Sequence, residues 1–181
     1  MKCGECFQEV GESEIVDDVE YFVCGNCGWS GSTTLKPVPI SVAVLHRKGG
    51  AAGGGSAAER FSSDFVVDGQ SLFQILAGSG DVMGCFVSGE KVFNERIRDQ
   101  LLLKLASDVP SGRVLLYVCP ECTDIGCGAF GCVEKKEREL YIWESFAYEN
   151  GYESPRIVGS FGPFRFLPEQ YESAISIASA L

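Results

Sequence analysis

Apolar residues recur every four positions between residues 90 and 107, and charged residues occupy the other faces of this period. Such spacing predicts an amphipathic helix. The apolar stripe consists of Phe93, Ile97, Leu101 and Leu105. A second helix is predicted from Pro168 to Leu181, because proline favours the first turn of a helix and apolar residues follow it at helical spacing. A shorter helix is predicted over residues 71–77.

Short runs of β-branched and aromatic residues predict strands around these helices. The predicted strands cover residues 61–67, 113–118 and 157–166, and residues 133–148 are expected to form a strand pair or one long bent strand. Strands and helices follow one another without a regular β-α-β alternation. This order predicts an α+β fold, with an antiparallel sheet and helices packed on one face.

The composition divides the chain into three segments. Residues 1–35 contain four cysteines and seven acidic residues but a single lysine, and we expect them to form a zinc ribbon. Residues 36–60 begin with an extended segment and continue into a glycine-rich stretch, which we interpret as a flexible loop or linker. That stretch lacks the residue order of a phosphate-binding loop. Residues 61–181 are expected to form the α+β domain.

The charge of the chain indicates which classes of molecule it can bind, and its cysteine content indicates the cellular compartment. The formal net charge is −10, which repels nucleic acid and anionic membranes and suits a basic protein partner. No apolar run reaches the ~20 residues that cross a bilayer, and the first residues do not resemble a secretory signal. Nine cysteines in such a chain indicate metal binding or redox chemistry in a reducing cytoplasm rather than disulfides.

The first cysteine group has the spacing of a four-cysteine zinc site. Two residues separate Cys3 from Cys6 and Cys24 from Cys27, and 17 residues lie between the pairs. Two intervening residues allow a tight turn to direct both sulfurs to one ion, and thiolates are preferred zinc ligands. We therefore expect one structural zinc ion here, since four cysteines leave no open position. A disulfide or redox pair and a metal-free segment are the alternatives.

A second cysteine group lies further along the chain. It comprises Cys119, Cys122, Cys127 and Cys132, in the spacing C-x₂-C-x₄-C-x₄-C. This spacing resembles that of a zinc knuckle, with cysteine in place of histidine, and predicts a second zinc site. The acidic Glu121 and Asp124 replace the usual basic residues, so the resemblance implies the metal geometry and not RNA binding.

For this second group, the sequence leaves open both which cysteines bind the ion and whether the ion is zinc. Cys132 either completes the site or faces inward on the following strand. Three cysteines alone would leave an open position, at which zinc can activate water. An iron–sulfur cluster and a dithiol redox site at Cys119 and Cys122 are the other interpretations.

Four motifs stand out within residues 61–181. They are RVLLYVCPEC (residues 113–122), Gly126-Cys-Gly128, the aromatic and acidic run of residues 143–152, and GPFRF (residues 162–166). In these motifs the chain resembles a family of uncharacterised bacterial proteins, some of which are loosely labelled oxidoreductases. The resemblance implies a signature without a function, and residues 1–60 look like an addition to it.

One run mixes large aromatic residues with carboxylates. It includes Trp143, Glu144, Tyr148, Glu149, Tyr152 and Glu153. Aromatic anchors ringed by charge are typical of protein interfaces, so the run is a candidate surface for a basic protein. Packing of the aromatic rings in the core is the alternative.

The sequence assigns no catalytic residue, and its only histidine, His46, lies beside the glycine-rich stretch. The favoured hypothesis is a non-enzymatic, zinc-stabilised acidic protein that binds a basic protein, for example an immunity or antitoxin protein that neutralises a toxin. A thiol-redox or metal-sensing regulator that uses the second cysteine group is the first alternative. A metal-dependent enzyme with an open zinc position is the second.

Overall fold

The computed structural model describes residues 3, 6, 8, 10–11, 13–16, 18–52, 55–78, 80–159 and 162–181. Contacts within the chain divide it into two units, Met1–Pro37 and Val38–Leu181. The described residues form mostly antiparallel sheets with a few helices.

The first unit contains a three-stranded antiparallel sheet. Its strands, in the order in which they pair, are β1 (Ser13–Val16), β2 (Val19–Val23) and β3 (Ser30–Thr34). Phe22 is buried, and its ring centroid lies 5.5 Å from that of Trp29. Gly31 lies opposite Phe22, and a Cβ at this position would be 2.6 Å from the Phe22 ring. The aromatic ring therefore needs a glycine beneath it.

The second unit contains the other strands and helices. In chain order they are β4 (Ile40–Arg47), β5 (Gly50–Ala52), β6 (Gly55–Ala57), β7 (Arg60–Val67), β8 (Gln70–Ser71), α1 (Leu72–Leu76), β9 (Met83–Gly84), α2 (Lys91–Leu101), β10 (Val114–Val118), a 3₁₀ helix (Ile125–Cys127), β11 (Ala129–Glu137), β12 (Leu140–Glu149), β13 (Arg156–Ile157), β14 (Phe164–Phe166) and α3 (Pro168–Ser179). The largest sheet has the order β13-β12-β11-β10-β9, with β14 also paired to β12. A second sheet has the order β4-β7-β8, and β5 pairs with β6.

The core of the second unit lies where these sheets and α3 meet. Trp143 of β12 is fully buried and packs edge-to-face on Phe65 of β7, with 5.0 Å between the ring centroids. Its indole Nε1 donates a hydrogen bond to the hydroxyl of Tyr171 on α3 at 3.0 Å. Gly84 of β9 allows a close approach to β7, because a Cβ there would overlap the carbonyl oxygen of Ser63. Buried aromatic rings thus connect three elements that are distant in sequence.

The helices are present where the sequence predicts them, with one correction. Helix α1 lies within residues 71–77 and α3 begins at Pro168, but α2 ends at Leu101 rather than near residue 107. Leu103 has a φ of 55°, which an α-helix does not accommodate. Leu105 is half exposed, so the last residue of the predicted apolar stripe does not enter the core.

The extended segment predicted at the start of residues 36–60 is present as β4, and the glycine-rich stretch after it is part of a hairpin rather than a linker. Strand β4 pairs with β7 along its whole length, from Ile40 opposite Val67 to Arg47 opposite Arg60. The glycine-rich stretch between them contains β5 and β6, which pair with each other. It is therefore the far end of a long antiparallel hairpin within the second unit.

Two predictions for the C-terminal strands have different outcomes. Residues 133–148 lie in a strand pair, in which Arg138 and Glu139 connect β11 to β12 with φ values of 49° and 63°. Two consecutive positive φ values are typical of a type I′ hairpin turn. Among the described residues of 157–166, the predicted strand is present only near its ends, where β13 and β14 pair with different parts of β12.

Candidate metal centres

Four cysteine side chains converge in the first unit. The sulfurs of Cys3, Cys6, Cys24 and Cys27 all lie within 4.8 Å of one another, and we call this group the first thiol centre. The Sγ atoms of Cys3 and Cys27 are 3.5 Å apart, as are those of Cys6 and Cys24. Sulfurs at ~2.3 Å from a tetrahedral ion are separated by ~3.8 Å. The group therefore has the spacing needed to hold a metal ion.

A tight turn between β2 and β3 positions two of these sulfurs. The Cys24 amide donates to the Trp29 carbonyl at 2.7 Å, and the Gly28 amide donates to the Cys24 carbonyl at 2.8 Å. Gly28 has a φ of 74°, which glycine adopts without steric cost. The chain reverses over this turn and brings the thiols of Cys24 and Cys27 to the same centre.

The thiols of the first centre differ in acidity. Hydrogen bonds from the Asn26 side chain and the Gln8 backbone lower the pKa of Cys6 to about 6. A backbone hydrogen bond from Trp29 favours the Cys27 thiolate, but burial and the neighbouring thiols outweigh it and raise the pKa of Cys27 to about 12. Ionisation of one thiol therefore opposes ionisation of the next, and a divalent cation would relieve this repulsion.

Three cysteines converge in the second unit. The sulfurs of Cys119, Cys122 and Cys127 lie within 4.8 Å of one another, and we call this group the second thiol centre. The Sγ atoms of Cys122 and Cys127 are 3.5 Å apart. Cys119 directly follows β10, and Cys127 ends the 3₁₀ helix. Cys122 and Cys127 are exposed, so the centre is open to solvent.

Local hydrogen bonds hold the loop of the second thiol centre. The Thr123 amide donates to the Cys119 carbonyl at 3.0 Å, and the Asp124 carboxylate accepts from the Gly126 amide at 2.6 Å. Burial opposes ionisation of Cys119, yet the backbone amides of the following turn lower its pKa. The neighbouring thiols raise the pKa of Cys127 to about 11. As in the first centre, one thiolate opposes the next.

The structure does not bring Cys132 to the second thiol centre. Cys132 lies on β11 opposite Val114 of β10, and its side chain is fully buried in the core. Burial raises the pKa of its thiol well above the ordinary value, which disfavours a thiolate ligand. No other His, Cys, Asp or Glu of the described residues joins the three sulfurs. The ligand set predicted from the knuckle spacing is corrected from four cysteines to three.

Part of the predicted partner surface is buried or paired within the fold. Trp143 is fully buried, and Glu149 is 5% exposed and accepts a hydrogen bond from Arg113 at 3.3 Å. Glu144 forms an ion pair with Lys135 at 3.1 Å. Trp143 and Glu149 therefore stabilise the second unit and do not offer a surface to a partner.

The exposed part of that predicted surface lies beside the second thiol centre. Tyr152 is 84% exposed, and Glu153 is also exposed. A Cβ on Gly126 would lie 3.0 Å from the Tyr152 hydroxyl, so the phenol lies against the loop that carries Cys127. Tyr148 is half-buried, with its ring centroid 5.4 Å from that of Phe130.

Two arginines of the β4–β7 hairpin contact the turn between Cys119 and Cys122, and no sequence motif predicts them. Arg47 Nη1 donates to Glu121 Oε1 at 2.5 Å. Arg60 Nε donates to the Pro120 carbonyl at 3.1 Å. A cavity of about 200 Å³ borders the same turn, and its lining includes Arg60 and Cys122. These contacts join segments that are far apart in the sequence, so residue spacing carries no signal for them.

No family model, curated protein or solved structure matches this chain. The resemblance to a family of uncharacterised bacterial proteins therefore stays a prediction. No helix in the described part of the chain is long and apolar enough to cross a membrane.

Proposed function

We propose that the protein is a non-enzymatic, zinc-stabilised module that binds a basic protein through the surface around its second thiol centre. The observation that carries this proposal is the position of the exposed Tyr152 against the loop that carries Cys127, one of three converging cysteines, two of them exposed. An immunity or antitoxin protein that neutralises a basic toxin is one protein of this kind.

Zinc is the proposed ion at both centres, because it favours tetrahedral thiolate ligands. With four sulfurs the first centre has no open position, and we interpret its unit as a zinc ribbon. Among the described side chains of that unit, the buried apolar residues are Cys3, Phe22 and Cys24. So small a core offsets little of the entropy lost on folding, and metal binding would supply the missing free energy. Nine cysteines in the sequence suit a reducing compartment such as the cytoplasm.

Charge supports a basic partner for the second thiol centre. Three thiolates and one zinc ion carry a net charge of roughly −1. Asp124 lies in the loop of this centre, and Glu153 lines a cavity together with Ile125 of that loop. Arg47 beside the turn is paired with Asp81 and Glu121, and the chain as a whole has a formal charge of −10. Tyr152 supplies an aromatic anchor within this acidic surface, a combination that is typical of binding hot spots.

A metal-sensing regulator is the second candidate, and the three-cysteine ligand set favours it. Among the described residues no fourth His, Cys, Asp or Glu joins the three sulfurs. An ion held there would keep an open coordination position, and two of its ligands face solvent. Such an ion exchanges with the medium more readily than one enclosed by four sulfurs. The same open position would serve a metal-dependent enzyme, for which the site offers no assigned general base.

Metal analysis of purified, reduced protein tests the proposed zinc sites. We expect one zinc ion at each centre, with Cys24→Ser losing the first and Cys127→Ser the second. Cys132→Ser is the matched control and should keep both ions, because Cys132 lies in the core. Loss of the second ion from the Cys132 variant, or its retention by the Cys127 variant, would contradict the ligand assignment.

Affinity capture from a native lysate tests the proposed partner surface. The wild type should retain a basic protein at low salt and release it at high salt, and a variant with Tyr152→Ala and Glu153→Lys should not retain it. A variant with Ile177→Ala and Glu169→Lys makes the same types of change on exposed positions of α3 and should behave as the wild type. Equal capture by all three proteins, or no salt-sensitive capture, would refute the proposed surface.

A further inference from the structure

Arg47 connects the β4–β7 hairpin to the turn that carries two ligands of the second thiol centre. Its Nη1 donates to Glu121 Oε1 at 2.5 Å and to the Ala58 carbonyl at 3.0 Å. Its Nε and Nη2 each donate to one carboxylate oxygen of Asp81 at 2.8 Å. The Arg47 side chain is only 16% exposed. The carboxylates of Asp81 and Glu121 are exposed, so these bonds fix the orientation of the guanidinium more than they add stability.

Two more hydrogen bonds join the hairpin to this turn. Arg60 Nε donates to the Pro120 carbonyl at 3.1 Å, and the Ala58 amide donates to Glu121 Oε1 at 3.3 Å. Pro120 and Glu121 are the two residues between the first two ligands of the second thiol centre. The hairpin therefore holds both residues that set the separation of these two thiols.

We propose that Arg47 is a positioning residue for metal binding at the second thiol centre, and that it couples occupancy of the centre to the order of β5 and β6. This inference rests on the proposed zinc binding there. The hydrogen bonds from the hairpin hold the turn in the conformation that brings Cys119 and Cys122 together for the ion. Conversely, an ion bound to these two thiols holds the turn in the conformation that the hairpin binds. Because such coupling is reciprocal, each change strengthens the other.

The size of the effect follows from the role of groups that orient metal ligands. Loss of such a group typically weakens metal affinity by about 10- to 100-fold. We expect Arg47→Gln and Glu121→Ala to weaken zinc binding at the second thiol centre within this range. The first thiol centre should keep its affinity for zinc in both variants. General misfolding of the variants would instead weaken zinc binding at both centres.

Chelator competition on the full-length protein measures both affinities. Arg98→Gln is the matched control, since it removes an Arg–Asp pair on α2, with Asp99 at 2.9 Å, and contacts no ligand turn. Arg47→Gln also loses the bonds to Asp81, so it can destabilise the second unit. Glu121→Ala removes the oxygen that accepts from Arg47 Nη1 and from the Ala58 amide and keeps the Arg47–Asp81 pair, and it therefore decides the question. A second-centre affinity equal to that of the Arg98 control would overturn the positioning role.

Hydrogen–deuterium exchange tests the coupling itself. In the wild type, zinc at the second thiol centre should slow backbone exchange in the peptide that covers residues 50–60. In Glu121→Ala saturated with zinc, this protection should be lost or clearly reduced. If zinc fills the second thiol centre of the wild type but does not slow exchange in this peptide, the coupling is overturned and the zinc site is not. A second centre that never takes up zinc would overturn the proposed site, and this inference with it.

Discussion

Replacing Glu134 with glutamine is expected to remove a pH-dependent part of the stability of the second unit. The Tyr171 hydroxyl contacts the Trp143 indole N–H at 3.0 Å, the Leu101 carbonyl at 2.9 Å and Oε1 of Glu134. A tyrosine hydroxyl has one proton, and a carbonyl can only accept. An ionised carboxylate also only accepts, so the single proton cannot serve Leu101 and an ionised Glu134 together. With Glu134 protonated, Tyr171 donates to Leu101 and accepts from Trp143. Its contact with Glu134 is a hydrogen bond if the carboxylic acid keeps its proton and donates it.

The magnitude follows from the pKa of this carboxyl group. Burial raises the pKa of Glu134 well above the ordinary value of 4.5. In the unfolded chain the group ionises near that ordinary value, so between the two pKa values unfolding releases a proton. The contribution of Glu134 to stability is complete below the unfolded pKa and is lost as the pH rises through the folded pKa. Across this window the free energy of unfolding falls by about 1.4 kcal/mol per pH unit.

Urea unfolding at about pH 5, 6 and 7, followed by circular dichroism on zinc-saturated protein, measures this slope. Glutamine keeps an N–H donor for Tyr171 and does not ionise, so Glu134→Gln should gain about 1.4 kcal/mol per pH unit relative to the wild type until the folded pKa is reached. The thiol centres titrate alike in both proteins, and their contribution cancels in the difference. Glu169→Gln, at an exposed position, should give a constant difference. Parallel pH profiles for the wild type and Glu134→Gln would refute the protonated carboxyl group.

Three further predictions concern the thiol centres and the core. Cys24→Ser should lose the ion of the first thiol centre and the dispersed amide signals of β1–β3, while NMR spectra of the second unit remain unchanged; intact β1–β3 signals without metal would contradict the structural role of that ion. Zinc affinity should rise with pH between about pH 6 and pH 8, because the pKa values of Cys27, about 12, and Cys127, about 11, require zinc to displace protons; calorimetry in buffers of different ionisation enthalpy counts these protons, and an affinity independent of pH would refute the reasoning. Asn94→Ala should destabilise the protein by about 2–3 kcal/mol in urea unfolding, because the buried Asn94 side chain bonds both the amide and the carbonyl of Val87 at 2.9 Å; a loss below about 0.5 kcal/mol would indicate that water replaces these bonds.

Features that depend on neighbouring residues could be predicted from the sequence. The turn between Cys24 and Cys27 needs only two intervening residues and a glycine with positive φ at residue 28, so the spacing indicates that both thiols meet. The start of α3 at Pro168 is also local, because proline suits the first helical turn. The conformation of this turn and the first residue of α3 depend on backbone geometry within a few residues, so contacts with distant parts of the chain do not alter them.

The glycine-rich stretch shows where composition is not enough. The same small residues suit a flexible linker and the end of a hairpin, and only the pairing of β4 with β7 distinguishes them. Likewise, the apolar period of α2 continues to Leu105, but the chain leaves the helix after Leu101. In both cases long-range packing decides between local conformations of similar free energy.

The second thiol centre depends most on tertiary structure. The spacing of the cysteines predicts a thiol centre in this region. The pairing of β10 with β11 places Cys132 in the core, so three thiols remain at the centre. The burial of Trp143 and the contact between Arg47 and Glu121 were decided in the same way. Each of these contacts joins two segments that are distant in the sequence. The packing of the whole core determines which sides of those segments lie against each other. Spacing along one segment carries no information about the segment that will lie against it.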